Sequence, residues 1–192
     1  LKKDFPTTDL RSFLDFAKKN PGKITLGHAG VGSSNYLICK NFTAAADIDV
    51  TLVSYRGAGP ALNDLMGGQI DGVCDAATSL TGAILSGHVR GLVASSSARL
   101  ASLPDVPTAA EAGLPEFKAQ GWNALFAPKG TPEPVIAKLN AALRQALASP
   151  ALRRRFADLA SDPPTQDEFS PDYVRRLVPA EIEKYRKLLA AK

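Results

Sequence analysis

Residues 23–46 of the chain read KITLGHAGVGSSNYLICKNFTAAA, and this stretch decides the expected fold. Its first part, KITLGH (23–28), is a short apolar run that is typical of a buried strand. A glycine-containing loop follows, and NYLICKNFTAAA (35–46) then has the apolar content of a helix. The stretch therefore predicts a strand that turns tightly into a helix.

The same order of strand, turn and helix recurs further along the chain. Strands are predicted at 49–55, 69–76 and 89–96, and helices at 56–68 and 79–87. Strands that alternate with helices at this spacing form right-handed crossover units. The sequence therefore predicts an α/β fold with a mainly parallel sheet flanked by helices.

The alternation ends after about residue 98. The proline-containing residues 98–117 predict a short helix at 107–112, and AQGWNALFAP (119–128) predicts one more strand. Three helices are then predicted: 133–148 and 171–190, in which apolar residues recur every third or fourth position, and a short basic helix at 150–159. The apolar faces of these helices need another surface on which to pack.

Composition and charge limit the possible function classes. The 192 residues are 45% hydrophobic and 22% charged, as in an ordinary globular protein. The net charge is +4, but acidic residues are interleaved with the basic run at 153–155 and no nucleic-acid-binding motif accompanies it. We therefore expect a solvated helix face and no nucleic-acid partner.

The first residues, LKKDFPTTDLRSFLDF, lack the apolar core of a signal peptide, so we expect a cytosolic protein or a mature or truncated form of an exported one.

The cysteines and histidines indicate no metal or redox chemistry. Cys39 and Cys74 lie in apolar surroundings at a spacing that fits no zinc or redox motif. We expect them to be buried, unreactive thiols, with a disulfide as the alternative in an exporting compartment. His28 and His88 are far apart and show no metal-ligand spacing, so neither a metal nor another cofactor is expected.

The glycine loop is a candidate anion site. Ligands of parallel α/β sheets lie at the carboxyl ends of strands, and the first N–H groups of a helix attract negative charge. Neither nucleotide motif is complete, because Asn35 replaces the third glycine of a dinucleotide loop and Ser33 replaces the lysine of a phosphate loop. GVGSS also lacks the spacing of a nucleophilic serine. A small carboxylate held by backbone N–H groups and the hydroxyls of Ser33 and Ser34 remains, alongside a serine-capped turn without a ligand.

Two further strand ends are expected at the same edge. Tyr55 and Arg56 end the second predicted strand, and Asp75 ends the third. Arg56 can pair with a second anionic group, or it is simply an exposed arginine. Asp75 can receive a hydroxyl or ammonium donor, or it caps the helix near Ser79.

Five stretches in register resemble the substrate-binding receptors of tripartite tricarboxylate transporters, the Bug or TctC group. They are NPGK (20–23), GHAGVGSS (27–34), VSYRGAGPALNDLMGGQID (53–71), SLPDVPTAAEAGLPEF (102–117) and WNALFAPKGTP (122–132). The resemblance implies a two-lobed, periplasmic-binding-protein-like "Venus flytrap". Such a receptor is not an enzyme. It captures a small carboxylate (a tricarboxylate, dicarboxylate, amino acid or aromatic acid) and delivers it to a membrane permease.

The resemblance also implies which residues bind the ligand. The carboxylate would be held by Gly30, Val31, Gly32, Ser33 and Ser34, with Tyr55, Arg56 and Asp75 around it. Arg56 stands where the family usually has lysine. The family often reads Thr-Ser-Pro-His where this chain has residues 33–36, Ser-Ser-Asn-Tyr, so the side wall of the pocket differs.

The resemblance further implies a division of the chain. Residues 1–118 would be the ligand-binding α/β lobe, the family's second lobe. Residues 119–192 would supply a strand and helices of the first lobe, which is incomplete because the family carries an additional N-terminal segment. We therefore expect weak binding of acids by this chain alone, and C-terminal helices that fold onto the remaining lobe or form a homodimer. Two alternatives are the effector-sensing domain of a transcription regulator and a truncated, non-binding paralogue.

Overall fold

A computed structural model describes residues 1–119, 121–158, 161 and 163–190. They form two compact units, Leu1–Gly121 and Trp122–Lys192. The regular elements of the first unit are α1 (Leu10–Lys19), β1 (Thr25–His28), α2 (Ser34–Ala46), β2 (Thr51–Ser54), α3 (Ala58–Met66), β3 (Gly72–Val73) and α4 (Ala77–Leu85).

The three strands form one parallel sheet in the order β2-β1-β3. In its register, Gly27 of β1 lies opposite Val53 of β2 and Val73 of β3. The predicted α/β fold with a parallel sheet is confirmed. The predicted strand at 69–76 is reduced to the two residues of β3.

Helices cover both faces of the sheet, because successive strand residues point to opposite sides. Leu26 and Leu52 pack into a core formed mainly by α1 and α2. Val53 packs on the other side, with Leu65 of α3. Gly27 permits this second packing, since a Cβ atom there would lie 2.6 Å from Cδ1 of Ile70.

Helix α1 was not predicted from the sequence, although its start carries a recognisable signal. Asp9 accepts a hydrogen bond from the Ser12 N–H at 2.8 Å, and the Asp9 N–H donates to Ser12 Oγ at 3.3 Å. This reciprocal pair is a capping box with serine in place of the usual glutamate. Phe13 and Ala17 then bury the inner face of the helix.

Two elements predicted between residues 89 and 112 are wrong. Residues 89–96 form isolated bridges, at Val89 and Ala94, instead of a strand. The partner of Ala94 follows Pro107, which has no N–H with which to extend a ladder. The predicted helix at 107–112 forms turns instead, and Gly113 after it takes a left-handed conformation with φ +87°.

The strand predicted at 119–128 is also wrong for the residues that the structure describes there, 119 and 121–128. A strand needs a neighbour that satisfies its backbone groups, and no ladder to this segment is present within the described residues. Leu125 and Phe126 are accordingly exposed.

The second unit is helical, and the three helices predicted there are confirmed within the described residues. They are α5 (Glu133–Ala148), α6 (Pro150–Asp158) and α7 (Pro171–Ala190), with a short 3-10 turn at Gln166–Phe169. Asn140 of α5 donates from Nδ2 to the Phe169 carbonyl oxygen at 2.7 Å. No described helix combines the length and the apolar character that crossing a bilayer requires.

Candidate functional site

Parallel pairing brings three predicted segments to one edge of the sheet. The Tyr55 N–H donates to the His28 carbonyl at 2.9 Å, and the Cys74 N–H donates to the Gly27 carbonyl at 3.4 Å. The glycine loop, Tyr55 with Arg56, and Asp75 therefore all follow the carboxyl ends of neighbouring strands. This is the edge at which ligands of parallel α/β sheets bind.

The glycine loop is held by hydrogen bonds of its own. The Gly30 N–H donates to Nδ1 of His28 at 3.2 Å. The N–H and the hydroxyl of Ser33 both donate to the Gly30 carbonyl, at 3.1 and 2.6 Å. Ser33 Oγ in turn accepts from the Tyr36 N–H at 3.1 Å and caps α2. Ser33 is thus the N-cap of a tight strand-to-helix turn.

Both loop glycines are required by the backbone. Gly30 has φ +114° and Gly32 has φ +82°, conformations that side chains with a Cβ rarely adopt. A Cβ at Gly30 would make only an ordinary contact, 3.5 Å from the Tyr55 carbonyl oxygen, so the backbone conformation and not the available space requires glycine there.

Fewer N–H groups of the glycine loop are available to an anion than the sequence suggested. The N–H groups of Gly30 and Ser33 and the Ser33 hydroxyl are used within the loop, because they build the turn. In the described part of the chain, the N–H groups of Val31, Gly32, Ser34 and Asn35 have no acceptor. These four groups stand at the N-terminus of the 13-residue helix α2, where the helix dipole favours an anion.

Tyr55 and Arg56 differ in whether their polar groups are already paired at this edge. The Tyr55 hydroxyl donates to Oδ2 of Asp64 at 2.8 Å, and burial together with this carboxylate raises the pKa of Tyr55. Its proton is therefore not available to a ligand. Arg56 is exposed, and among the described residues it forms no ion pair. Its guanidinium group can therefore form an ion pair with a second anionic group.

Asp75 does not cap a helix, so the capping role considered from the sequence is wrong. The N-cap of α4 is Ala76, which provides no side-chain hydrogen bond. The Asp75 carboxylate accepts from the Ala76 N–H at 2.6 Å through Oδ1. Its second oxygen, Oδ2, has no donor among the residues that the structure describes.

Cys39 and Cys74 form a disulfide, with their Cα atoms 5.2 Å apart. The expectation of two unreactive thiols is therefore wrong. The pairing of β3 beside β1 places Cys74 under α2, where the fully buried Cys39 faces inward. Sequence reasoning also assigned no role to His28, Asn35 or Asp64, although each is a polar residue within or next to a motif that it had singled out.

Two cavities lie away from this edge. One, of about 260 Å³, is lined by Lys2, Phe16 and Asp71 among others, at the amino ends of the strands. The other, of about 530 Å³, is lined by Arg90 and Asp105 among others. Neither is lined by a predicted binding residue, and Val31, Gly32, Ser34 and Arg56 at the candidate site are exposed. Within residues 1–119, 121–158, 161 and 163–190, no His, Cys, Asp and Glu side chains are grouped to hold a metal ion.

Comparisons with known proteins agree with this geometry. Residues 1–191 match the tripartite tricarboxylate transporter family receptor, TctC. The chain is 38% identical over 189 residues to the UPF0065 protein in the TAR-I ttuE-ttuC' intergenic region of Agrobacterium vitis. That match covers 98% of this chain and 55% of the relative.

Two solved structures share the fold. MatC from Rhodopseudomonas palustris with bound malate superposes with a TM-score of 0.90 at 39% identity, over 97% of this chain and 64% of MatC. The periplasmic binding protein BugD superposes with a TM-score of 0.86 at 34% identity, over the same shares of the two chains. The periplasmic-binding-protein-like fold expected from the sequence is thereby confirmed, and the chain spans little more than half of its Agrobacterium relative. The chain belongs to the tripartite tricarboxylate transporter receptor family, the Bug or TctC group.

Proposed function

We propose that the chain is part of a periplasmic solute-binding receptor, not an enzyme, that captures a small carboxylate for a tripartite tricarboxylate transporter permease. The family supports a receptor role, and the malate in MatC supports a carboxylate ligand. The Cys39–Cys74 disulfide supports an oxidising compartment such as the periplasm. The observation that carries the proposal is the set of four N–H groups, at Val31, Gly32, Ser34 and Asn35, that have no acceptor among the residues the structure describes.

These four groups suit one carboxylate. A carboxylate only accepts hydrogen bonds, and N–H donors at a helix start supply both the bonds and a partial positive charge. The Ser34 hydroxyl can add a further donor. Gly30 and Ser33 act by shaping the loop, since their polar groups are already paired.

The flanking residues favour a ligand with a second polar group. Arg56 can pair with a second carboxylate, and Asp75 can accept from a hydroxyl or ammonium group through Oδ2. Tyr55 contributes its ring, because its hydroxyl proton is committed to Asp64. This arrangement supports a dicarboxylate that carries a donor substituent.

The division into lobes is part of the proposal. Residues 1–118 would form the ligand-binding lobe, and residues 119–192 would belong to the family's other lobe.

Homodimerisation is proposed for the second unit, whose helices expose the apolar side chains of Val135, Leu139, Ile182 and Leu189. Sedimentation analysis of the wild-type chain and Leu139→Glu tests it: the dimer should be lost in the variant, and a monomeric wild type contradicts it.

A thermal-shift screen of mono-, di- and tricarboxylates on the full-length gene product tests the receptor function. A true ligand at a hundredfold its dissociation constant stabilises by about 2.7 kcal/mol. The control is the uncharged amide of each acid, in which every carboxylate is replaced by an amide, and it should give no shift. Equal shifts with acid and amide, or no shift with any acid, would contradict a carboxylate receptor.

A further inference from the structure

His28 occupies an unusual place for a polar residue. It is the last residue of β1 and only 3% exposed. Its Nδ1 faces the Gly30 N–H at 3.2 Å, and its ring lies against the Tyr36 ring with 5.0 Å between centroids. The receptor chemistry proposed above gives this imidazole no ligand contact.

The contacts of His28 belong to a closed circuit around the glycine loop. From Nδ1 the circuit runs through the Gly30 N–H, then from the Gly30 carbonyl to Ser33, and from Ser33 Oγ to the Tyr36 N–H. The Tyr36 ring then returns to the imidazole. The two contacts of His28, with the Gly30 N–H and with the Tyr36 ring, join β1 to a turn and a helix cap whose remaining hydrogen bonds are local. The imidazole, on the last residue of β1, is therefore one point at which the loop is held to the sheet, beside the Asn35–Cys74 hydrogen bond of α2.

We propose that His28 is a positioning residue for the carboxylate loop, an inference that rests on the proposed function. A backbone N–H always donates, so Nδ1 must carry no proton and the ring hydrogen must be on Nε2. With its N–H bonded to Nδ1, Gly30 keeps φ +114°, and within the described residues the N–H groups of Val31, Gly32, Ser34 and Asn35 remain unpaired and available to a ligand.

Removal of the His28 Nδ1 acceptor would change the backbone conformation of the loop. The partly buried Gly30 N–H would have no partner, and an unpaired buried donor favours a rotated peptide that can reach water. Rotation at a glycine meets little steric resistance. The loop would then no longer hold the N–H groups of Val31 and Gly32 in the arrangement that the proposed carboxylate site requires.

Two substitutions separate this role from simple packing. In His28→Asn, the amide Oδ1 stands at the same bond count from Cα as Nδ1 and restores the acceptor. In His28→Leu, the apolar volume is kept and the acceptor is lost. The exposed His88, the only other histidine of the chain, provides the control substitution His88→Leu.

The experiment uses ¹⁵N-labelled chain, first without ligand and then titrated with malate. We expect slow amide exchange at Gly30 in the wild type, His28→Asn and His88→Leu, and fast exchange in His28→Leu. Malate affinity should fall about tenfold in His28→Leu only. Should His28→Leu fail to fold, the imidazole nitrogen spectrum of the wild type decides, with Nδ1 unprotonated and coupled to the Gly30 N–H as the expected result.

The outcomes are distinguishable. Unchanged Gly30 exchange and malate affinity in His28→Leu, or a proton on Nδ1 in the wild type, would overturn the positioning role and leave the receptor function intact. Affinity as weak in His28→Asn as in His28→Leu would also overturn it. If malate moves no loop amide in the wild type, the receptor function fails instead, and the exchange comparison alone decides whether His28 holds Gly30.

Discussion

Asn35, in the first turn of α2, donates from Nδ2 to the carbonyl oxygen of Cys74 at 3.3 Å. One turn further along the same helix, Cys39 is joined to Cys74 by the disulfide. Helix α2 is therefore attached twice to the segment that leads directly into Asp75. The N–H groups of the loop and the Asp75 carboxylate consequently keep a fixed relation, as a site that recognises one ligand requires.

The disulfide should contribute substantially to stability. It closes a loop with a sequence separation of 35 residues, for which the loss of chain entropy in the unfolded state corresponds to about 3–4 kcal/mol. The double variant Cys39→Ala/Cys74→Ala should lose about that free energy of unfolding in urea denaturation. Reductant should destabilise the wild type and leave the double variant unchanged. An equal effect of reductant on both proteins would show that no disulfide forms.

Ser34 offers a direct test of a backbone donor. It is the first residue of α2, where proline is tolerated, and Ser33 before it has the extended conformation that precedes proline. Ser34→Pro removes the N–H without removing a helical hydrogen bond, whereas Ser34→Ala removes only the hydroxyl. We expect calorimetry to show malate binding about tenfold weaker in Ser34→Pro than in Ser34→Ala. Equal affinities in the two variants would mean that this N–H does not contact the ligand.

The same substitution should have opposite effects at two glycines. At Gly32, φ +82° makes Gly32→Ala destabilising by about 1–2 kcal/mol, although no atom lies within 4 Å of the added Cβ. At Gly82, inside α4 and equally open, Gly82→Ala should stabilise by about 1 kcal/mol through helix propensity. Chemical denaturation measures both changes. A stabilising Gly32→Ala would show that the loop does not hold this conformation.

Asp71 should make stability depend on pH. Partial burial pushes its pKa upward, but bonds from Lys2 and from the N–H and hydroxyl of Thr25 outweigh this, and the folded pKa lies below its ordinary value. The stabilisation is therefore present above the unfolded-state pKa and is lost as pH falls through the folded-state pKa.

Unfolding measured across pH checks this prediction. At neutral pH, Asp71→Asn should be less stable than the wild type by about 1 kcal/mol. The difference should shrink in acid. Asp105→Asn, which changes an exposed carboxylate, is the control and should show no such difference. A gap between Asp71→Asn and the wild type that persists unchanged in acid would contradict the assignment.

Local sequence patterns predicted the elements that depend on local chemistry. The apolar run before Gly30 and the serines after it indicated the β1–α2 turn, and the periodic leucines indicated α5. The strands expected at 89–96 and 119–128 have equally apolar sequences. A strand, however, exists only with a partner ladder, which the sequence of the segment itself does not encode.

The sequence predicted where the site lies, but it predicted less completely which groups of the site are free to bind and which residues are bonded to one another. The carboxyl-edge location of the loop, Arg56 and Asp75 follows from strand order alone. Which N–H groups remain unpaired depends on how His28 and Ser33 bond within the turn, and the Cys39–Cys74 pairing depends on the register of β3 beside β1. Both are three-dimensional relations between residues that the sequence pattern treats separately.

The central claim is that an open carboxyl edge binds a small carboxylate through the unpaired N–H groups of the loop. A titration of the ¹⁵N-labelled chain with malate tests it most directly, with the diamide of malate as the control. Because the edge is exposed and water competes for each bond, we predict a dissociation constant in the millimolar range. The amide shifts should centre on Val31, Gly32, Ser34 and Asn35, and the diamide should cause none. Shifts that leave these four amides unmoved and centre on the cavities near Asp71 or Arg90 would contradict the account.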